Sequence, residues 1–286
     1  MTYRAGVLTL IAITMVWGTT FVVVKDSLET ISVPLLLALR FSLAALCFSW
    51  VRLDRRAIGP AIGLGLLAFV GFATQTIGLS LTTASNVAFI TGLSVVLVPA
   101  VGAIWFRDRV PGRVVVASVV ALAGLALLTG GGVGINAGDV WTLATALAYA
   151  LYIVYLGRVA RRASAMSLAG LQHLPMAALA WIWAAPDVPT LALVPPSTFL
   201  AIAYLAVVAT AVVAVAQTYA QRVVSAPVAA IIFVLEPVFA AILAAIVLGE
   251  VLGPFGWLGG VLDVLAMLIG EARVFRTWKR PRRRAA

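Results

Sequence analysis

The sequence predicts an all-α polytopic membrane protein, with ten transmembrane helices arranged as a 5+5 inverted repeat around a central cavity. Three observations predict it: a very apolar composition, a one-sided distribution of basic residues, and a repeat within the chain. Of the 286 residues, 63% are hydrophobic and 10% are charged, and the mean hydropathy is +1.12. This composition excludes an ordinary soluble domain, because about 25% of the residues in such domains are charged.

Ten apolar segments are long enough for membrane helices, since a crossing needs about 20 residues. Helices are favoured over strands because the apolar runs are continuous and do not alternate with polar residues. The short connections leave no room for a soluble enzyme or nucleotide-binding domain. The predicted spans are 5–24, 33–51, 58–80, 84–106, 113–130, 138–157, 166–184, 197–218, 226–248 and 254–272.

The basic residues predict the orientation of these spans. Of the 20 lysines and arginines, all except Lys25 and Arg40 precede span 1 or follow an even-numbered span. Basic loops remain in the cytoplasm, so both termini are predicted to be cytoplasmic, in a bacterial inner membrane. The net charge of +10 then reflects topology, and no nucleic-acid partner is expected. The basic tail, 273–286, is interpreted as a topology signal that attracts anionic headgroups, with a nucleic-acid or partner site as the alternative.

The two halves of the chain resemble each other. Sliding the second half over the first places Gln217 on Gln75 and Glu250 on Asp108. Each predicted repeat, 1–136 and 137–272, holds five spans, so the second must enter the membrane inverted. Inverted repeats are typical of secondary transporters, which bind substrate near the middle of the membrane between the repeats.

Several short motifs connect the chain to a known family. They are Val16-Trp17-Gly18-Thr19-Thr20-Phe21, Leu39-Arg40-Phe41, Phe106-Arg107-Asp108-Arg109 and Leu248-Gly249-Glu250. These motifs resemble the EamA domain, which occurs twice in the drug/metabolite transporter superfamily, and the similarity extends from about residue 7 to 272. Within the superfamily, the chain is similar to YddG-type exporters of aromatic and other neutral amino acids. The resemblance implies a ten-helix carrier with a central cavity and alternating access.

Polar and aromatic side chains inside the spans predict the substrate site, because such groups are expected to face the bundle interior. The aromatic rings would hold the side chain of an amino acid, and the polar groups its carboxylate and ammonium. For any single Thr or Ser, packing between helices is an equally good explanation. The predicted substrate-binding residues are Trp17, Thr20, Phe21, Gln75, Thr91, Ser94, Thr145, Tyr149, Tyr152, Gln217, Phe233 and Glu236.

Ionisable residues and prolines inside the spans suggest further roles. Glu236 and His173 are candidates for proton coupling, although a lone buried histidine is more often a packed residue. Arg40 is predicted to pair with Glu236 or Asp263, or else to capture a substrate carboxylate. Pro99 and Pro237 are predicted hinges, because each removes a backbone hydrogen bond from its helix.

The function predicted from these features is a secondary transporter that exports neutral, in particular aromatic, amino acids by alternating access. The alternative is an exporter of drugs or other metabolites, and a passive channel is less favoured. The chain is predicted not to be an enzyme, with no catalytic residues, cofactor or metal. The segment Gly132-Val133-Gly134-Ile135-Asn136-Ala137 matches a dinucleotide-binding pattern, but it follows a membrane span and is interpreted as a turn. The expected partners are a small-molecule substrate and the lipid bilayer, with the chain as a monomer or weak homodimer.

Overall fold

The computed structural model describes residues 1–128, 136–248 and 253–270, with the side chains of 85 and 243–248 left out of the description. All regular elements within these ranges are helices, as predicted. Three features discussed above lie outside the described residues. They are the basic tail 273–286, residues 132–135 of the glycine-rich segment, and the Gly249-Glu250 motif ending.

The α-helices follow the predicted apolar segments in order. They are α1 (Tyr3–Ser27), α2 (Val33–Leu46), α3 (Ile58–Leu81), α4 (Ala84–Gly92), α5 (Ser94–Phe106), α6 (Gly112–Leu128), α7 (Ala137–Val159), α8 (Ala165–Leu171), α9 (His173–Ala184), α10 (Pro196–Ala206), α11 (Val213–Ala220), α12 (Ala226–Phe233), α13 (Leu235–Leu248) and α14 (Pro254–Gly270). Two 3-10 helices, Arg55–Ala57 and Ala185–Leu193, lie between them, and a π-helical turn, Val207–Val212, joins α10 to α11.

Six helical segments of the described chain are long and apolar enough to cross a membrane. They are Tyr3–Ser27, Arg55–Leu81, Asn86–Phe106, Ala137–Val159, Ala165–Leu193 and Pro196–Ala220. Four shorter apolar helices, Val33–Leu46, Gly112–Leu128, Ala226–Ile242 and Pro254–Gly270, occupy the remaining predicted spans. The chain therefore has the helices of a polytopic membrane protein, and the crossing of all ten segments remains a prediction.

The second predicted span, 33–51, is longer than the helix that forms there. Helix α2 ends at Leu46, and turn hydrogen bonds replace helical ones beyond it. The amide of Phe48 donates to Ala45 O (3.0 Å) and that of Ser49 to Leu46 O (3.1 Å). The indole of Trp50 also donates back to Cys47 O (2.8 Å), which holds the chain in a tight turn.

Three of the apolar segments are interrupted near their middle. The interruptions lie at Leu93, Gln172 and Val234. Pro175 and Pro237 follow the last two by three residues, and a proline has no N–H for the carbonyl four positions earlier. The interruption at Leu93 is instead a tightened turn, in which Leu93 N donates to Ile90 O (3.1 Å).

Pro99, one of the two predicted hinges, does not interrupt its helix. Helix α5 continues through it from Ser94 to Phe106. The carbonyl that Pro99 leaves without a helical partner belongs to Val95, and this carbonyl accepts a hydrogen bond from the Ser118 hydroxyl of α6 (3.1 Å). A neighbouring helix therefore supplies the bond that the proline removes.

The helices pack in close pairs, most extensively α6 with α14, α3 with α7 and α2 with α9. Glycines at the crossings permit the approach. A Cβ on Gly259 of α14 would lie 2.4 Å from Leu128 N and 2.5 Å from Gly124 O, both backbone atoms of α6. Small residues at helix crossings are typical of membrane bundles, because backbone packing there replaces the hydrophobic effect.

Asp54 fixes the connection between α2 and α3 to the start of α8. Its carboxylate accepts hydrogen bonds from the backbone amides of Ser164 (2.7 Å) and Arg56 (3.0 Å). These two bonds hold the pKa of the exposed Asp54 carboxyl below its ordinary value, since they favour the charged form. The hydroxyl of Ser167 adds a bond to Arg52 O (3.1 Å).

The crossing of α6 and α14 predicts a large effect from a single methyl group. Gly259→Ala is expected to lower the unfolding free energy by about 1–3 kcal/mol, because the new Cβ meets backbone atoms that cannot turn away. Gly260→Ala is the matched control, since the nearest atom to its Cβ would be Val238 Cγ1 at 3.8 Å. Thermal unfolding in detergent measures both variants, and equal melting temperatures would contradict this packing.

The Ser118 hydrogen bond predicts a dependence on Pro99. Ser118→Ala is expected to cost about 1–3 kcal/mol, because it leaves the Val95 carbonyl buried without a partner. In a Pro99→Ala background the same change should cost much less, since the restored amide of residue 99 can donate to that carbonyl. The four proteins of this cycle are compared by unfolding, and identical costs in both backgrounds would show that the Ser118 bond does not replace the missing one.

Candidate functional site

A cavity lies between the helices close to their midpoints. Its empty volume is about 970 Å³, part of which is open to the exterior. Six aromatic side chains line it: Trp17, Phe21, Phe72, Tyr149, Tyr152 and Phe233. The polar and ionisable residues of the lining are Gln75, Thr91, Ser94, Gln172, His173, Thr210, Gln217 and Glu236. The cavity therefore combines an aromatic wall with a limited set of polar groups, as small-molecule sites commonly do.

The structure brings all the predicted substrate-binding residues to this cavity except Thr20 and Thr145. The hydroxyl of Thr20 donates to Trp17 O within α1 (2.8 Å). Thr145 is fully buried, and its hydroxyl shares a hydrogen bond with that of Thr74 (2.8 Å), which joins α7 to α3. Thr145 thus has the helix-packing role that was the alternative for single hydroxyl residues, whereas the Thr20 hydroxyl bonds within its own helix.

Two aromatic pairs form the apolar wall. The rings of Trp17 and Phe233 have centroids 5.2 Å apart at an interplanar angle of 60°. Those of Phe72 and Tyr149 are 5.8 Å apart at 79°. Edge-to-face pairs of this kind hold their rings in fixed orientations, so the wall presents preformed aromatic faces to the cavity.

Amide and hydroxyl side chains position one another along the polar part of the lining. Tyr149 donates through its hydroxyl to Gln75 Oε1 (3.1 Å), and Tyr152 donates to Gln172 Oε1 (3.0 Å). Gln217 Nε2 donates to Gln221 Oε1 (3.1 Å). Each of these groups retains further hydrogen-bonding capacity, so the neutral network can also bind a polar ligand.

The π-helical turn between α10 and α11 places Ala209 and Thr210 at the cavity. Thr210 Oγ1 donates to the carbonyl five residues earlier, Leu205 O (2.8 Å). The indole of Trp17 donates to Ala209 O (3.3 Å), so α1 is attached to the same turn. Turns of this kind inside α-helices are frequent at functional sites, because they redirect side chains and backbone carbonyls.

The ionisable side chains are not paired as predicted. Within the described residues, neither Glu236 nor Asp263 forms an ion pair with Arg40, whose Nε donates to Thr210 Oγ1 (2.8 Å). The position of Asp263 explains this, because α14 holds its carboxylate against Gly124 of α6 and outside the cavity lining. Glu236 and His173 line the cavity, and the imidazole of His173 stacks on Phe48 at 5.6 Å.

Comparison with known proteins identifies the family. The profile of the EamA-like transporter family matches residues 4–130 and, a second time, residues 136–269. The chain belongs to the EamA-like transporter family. An uncharacterized transporter of Archaeoglobus fulgidus is 31% identical over 267 residues, which are 92% of this chain and 84% of the relative. Membership of a transporter family supports the prediction that this chain is not an enzyme.

A solved crystal structure shows that the fold is shared beyond recognisable sequence similarity. It superimposes on this EamA-like transporter with a TM-score of 0.76, covering 96% of this chain and 99% of its own, at 19% identity. At that identity the likeness extends to the fold alone. The family and the fold together establish a membrane transporter, and the substrate has to be argued from the cavity.

Hydrogen bonds join the helix ends of this EamA-like transporter on both predicted sides of the membrane. At the end where the predicted orientation places the cytoplasm, Arg158 pairs with Asp108 and lies 3.7 Å from the ring centroid of Phe106. At the opposite end, Lys25 Nζ donates to Thr82 O (3.0 Å), and Asn136 Nδ2 donates to the Thr82 hydroxyl (2.9 Å). Both sets connect elements that are distant in the sequence.

Three aromatic or polar lining residues of the EamA-like transporter were absent from the predicted set. Phe72 lies one helical turn before Gln75, so the 3.6-residue periodicity could have found it. Gln172 is a polar residue in the middle of an apolar span, and this is the property for which the adjacent His173 was chosen as a candidate. Thr210 shares a helical face with Ala214 and Gln217, so the spacing already marks it as cavity-facing, although the π-helical turn at its position has no sequence pattern.

Proposed function

We propose that this EamA-like transporter exports neutral, in particular aromatic, amino acids by alternating access. The observation that carries the proposal is the central cavity, in which aromatic faces and neutral amide groups meet. The aromatic pairs Trp17–Phe233 and Phe72–Tyr149 offer edges and faces between which an aromatic ring can stack. Gln75, Gln217 and Thr91 offer hydrogen bonds without full charge, which suits a carrier that must also release its substrate.

Alternating access is proposed to rest on a 5+5 inverted repeat, with repeats 1–136 and 137–272 and ten membrane crossings. Reciprocal packing supports it: α1 contacts α11 and α13, and α7 contacts the corresponding α3 and α5. The interruptions at Leu93 and Val234 also fall at corresponding places in the two repeats. A bacterial inner membrane and cytoplasmic termini follow from the basic residues. One chain lines the whole cavity, which suits a monomer or weak homodimer.

Rocking of the interrupted helices is the proposed motion. Pro237 lies at the cavity and just after the interruption at Val234, so it is the hinge that the geometry favours. Pro99 lies within a continuous helix, and its predicted hinge role requires the Ser118 bond to break during transport. Opening toward the predicted cytoplasm would also separate Arg158 from Asp108.

The proposed substrate predicts that aromatic wall residues determine apparent affinity. In proteoliposomes, Trp17→Ala and Tyr149→Ala are each expected to raise the phenylalanine concentration for half-maximal uptake about two- to tenfold, as expected for the loss of one aromatic contact. Trp105→Ala is the matched control, since that side chain is 61% exposed on the outer surface of the bundle.

Three outcomes separate this proposal from its alternatives. Saturable uptake that unlabelled neutral amino acids compete for supports an amino-acid carrier. Uptake equal to that of empty liposomes, by protein that remains folded, overturns the amino-acid substrate and leaves drugs or other metabolites. Uptake that rises linearly with phenylalanine concentration indicates a passive channel.

A second prediction concerns proton coupling through Glu236, with His173 as the other candidate. Wild-type uptake is expected to accelerate when a pH gradient is imposed. Glu236→Gln should lose this acceleration, because an amide cannot exchange a proton with the cavity, and His173→Asn tests the histidine in the same way. Asp26→Asn, at the exposed end of α1, is the control. Equal uptake by the wild type with and without the gradient would exclude coupling through either residue.

A further inference from the structure

We infer that Arg40 is the carboxylate-binding residue of the cavity, so that the carrier recognises its substrates through a guanidinium–carboxylate contact. The inference deepens the proposed function and rests on it for the identity of the amino-acid substrate. Arg40 is buried in the middle of the apolar helix α2 and has no acidic partner among the described residues.

The charge of Arg40 has no counter-ion in the described part of the protein. The ion pair found there joins Arg158 to Asp108 and is far along the chain from Arg40. An isolated buried cation is expensive, and an ionisable residue inside a membrane helix is typically functional. A ligand that brings its own negative charge would remove this cost each time it binds.

The guanidinium of Arg40 is hydrogen-bonded along one edge only, among the described residues. Its Nε donates to Thr210 Oγ1 (2.8 Å), while the Thr210 hydroxyl donates its own proton to Leu205 O (2.8 Å). This arrangement fixes the plane of the guanidinium. The two terminal nitrogens form no hydrogen bond with any described residue, and their donors have the planar geometry that matches the two oxygens of a carboxylate.

Arg40 lies directly against the cavity wall. Its Cζ is 4.6 Å from the ring centroid of Phe72, and both Phe72 and Thr210 line the cavity. Its exposed fraction, 3%, equals that of the lining residue Gln217. Arg40 is not itself part of the lining; it lies immediately behind the ring of Phe72, so a ligand that displaces this ring reaches the terminal nitrogens of Arg40.

An acidic side chain belongs to the lining of the same cavity. Glu236 lines it together with Tyr149, and the Tyr149 ring packs against the Phe72 ring that Arg40 contacts, so the cavity has a carboxyl group in its lining and a guanidinium behind its aromatic wall. A zwitterionic amino acid can place its carboxylate at Arg40 and its ammonium toward Glu236, with its side chain among the aromatic rings. The same arrangement disfavours amines that have no carboxylate.

Three ligands that differ only in their charged groups test the inference: phenylalanine, 3-phenylpropionate and 2-phenylethylamine. Binding to the full chain in detergent is measured by calorimetry for the wild type and for Arg40→Gln. The variant should weaken the binding of phenylalanine and 3-phenylpropionate about 10- to 100-fold, as expected for loss of a charged hydrogen bond, and should not weaken the binding of 2-phenylethylamine. Arg40→Lys should recover part of the loss, because it restores the charge but not the planar donors.

Thr210→Val provides a second variant in case Arg40→Gln does not fold. It frees the Nε edge of the guanidinium while preserving its charge. The binding of both carboxylate ligands should therefore weaken by a smaller factor than in Arg40→Gln, and the binding of 2-phenylethylamine should not weaken. If the variants bind all three ligands more weakly by the same factor, Arg40 has a structural role and the inference is overturned. A wild type that does not bind 3-phenylpropionate also overturns it. Wild-type binding of 3-phenylpropionate without uptake of phenylalanine instead counts against the proposed substrate and supports the carboxylate site.

Discussion

The lack of water inside a bilayer is the constraint on which the rest of this structure depends. Backbone groups in that environment need partners within the protein, so regular helices face the lipid and irregular backbone is confined to the interior. The π-helical turn Val207–Val212 and the interruption at Val234 both lie at the cavity. Where Pro99 breaks the rule inside a continuous helix, the Ser118 hydroxyl of the next helix satisfies the free carbonyl.

The same constraint explains how the helices associate with one another. Apolar side chains gain little by leaving lipid for another helix, so association depends on close backbone packing. Gly124 and Gly259 permit that approach between α6 and α14, and Gly78 permits it between α3 and α7. Hydroxyl pairs such as Thr74 with Thr145 add bonds across the crossings.

The polar groups in and around the cavity fall into two classes, neutral groups that hydrogen-bond to one another and ionisable groups that have no oppositely charged partner among the described residues. Neutral amides and hydroxyls satisfy one another through bonds such as Tyr149 to Gln75, and they can exchange these bonds for a ligand at little cost. Arg40 and Glu236 are different, because neither has an oppositely charged partner among the described residues. A cavity with a carboxyl group in its lining and a guanidinium behind its aromatic wall suits a ligand that carries both an amine and an acid, and this connects the geometry of the cavity with the proposed substrate class.

The sequence by itself determined the membrane class, the order of the helices and most of the aromatic and polar residues that line the cavity. These depend on composition and helical periodicity, which are local properties. Thr145 lies at a helix crossing and outside the cavity lining, and the sequence does not distinguish the two places because a hydroxyl that faces a neighbouring helix has the same sequence signature as one that faces a cavity. The tertiary structure alone decided that Arg40 contacts Thr210 rather than an acid, because that contact joins residues of α2 to a π-helical turn 170 positions later in the chain. Such a contact depends on how whole helices pack, and no local pattern encodes it.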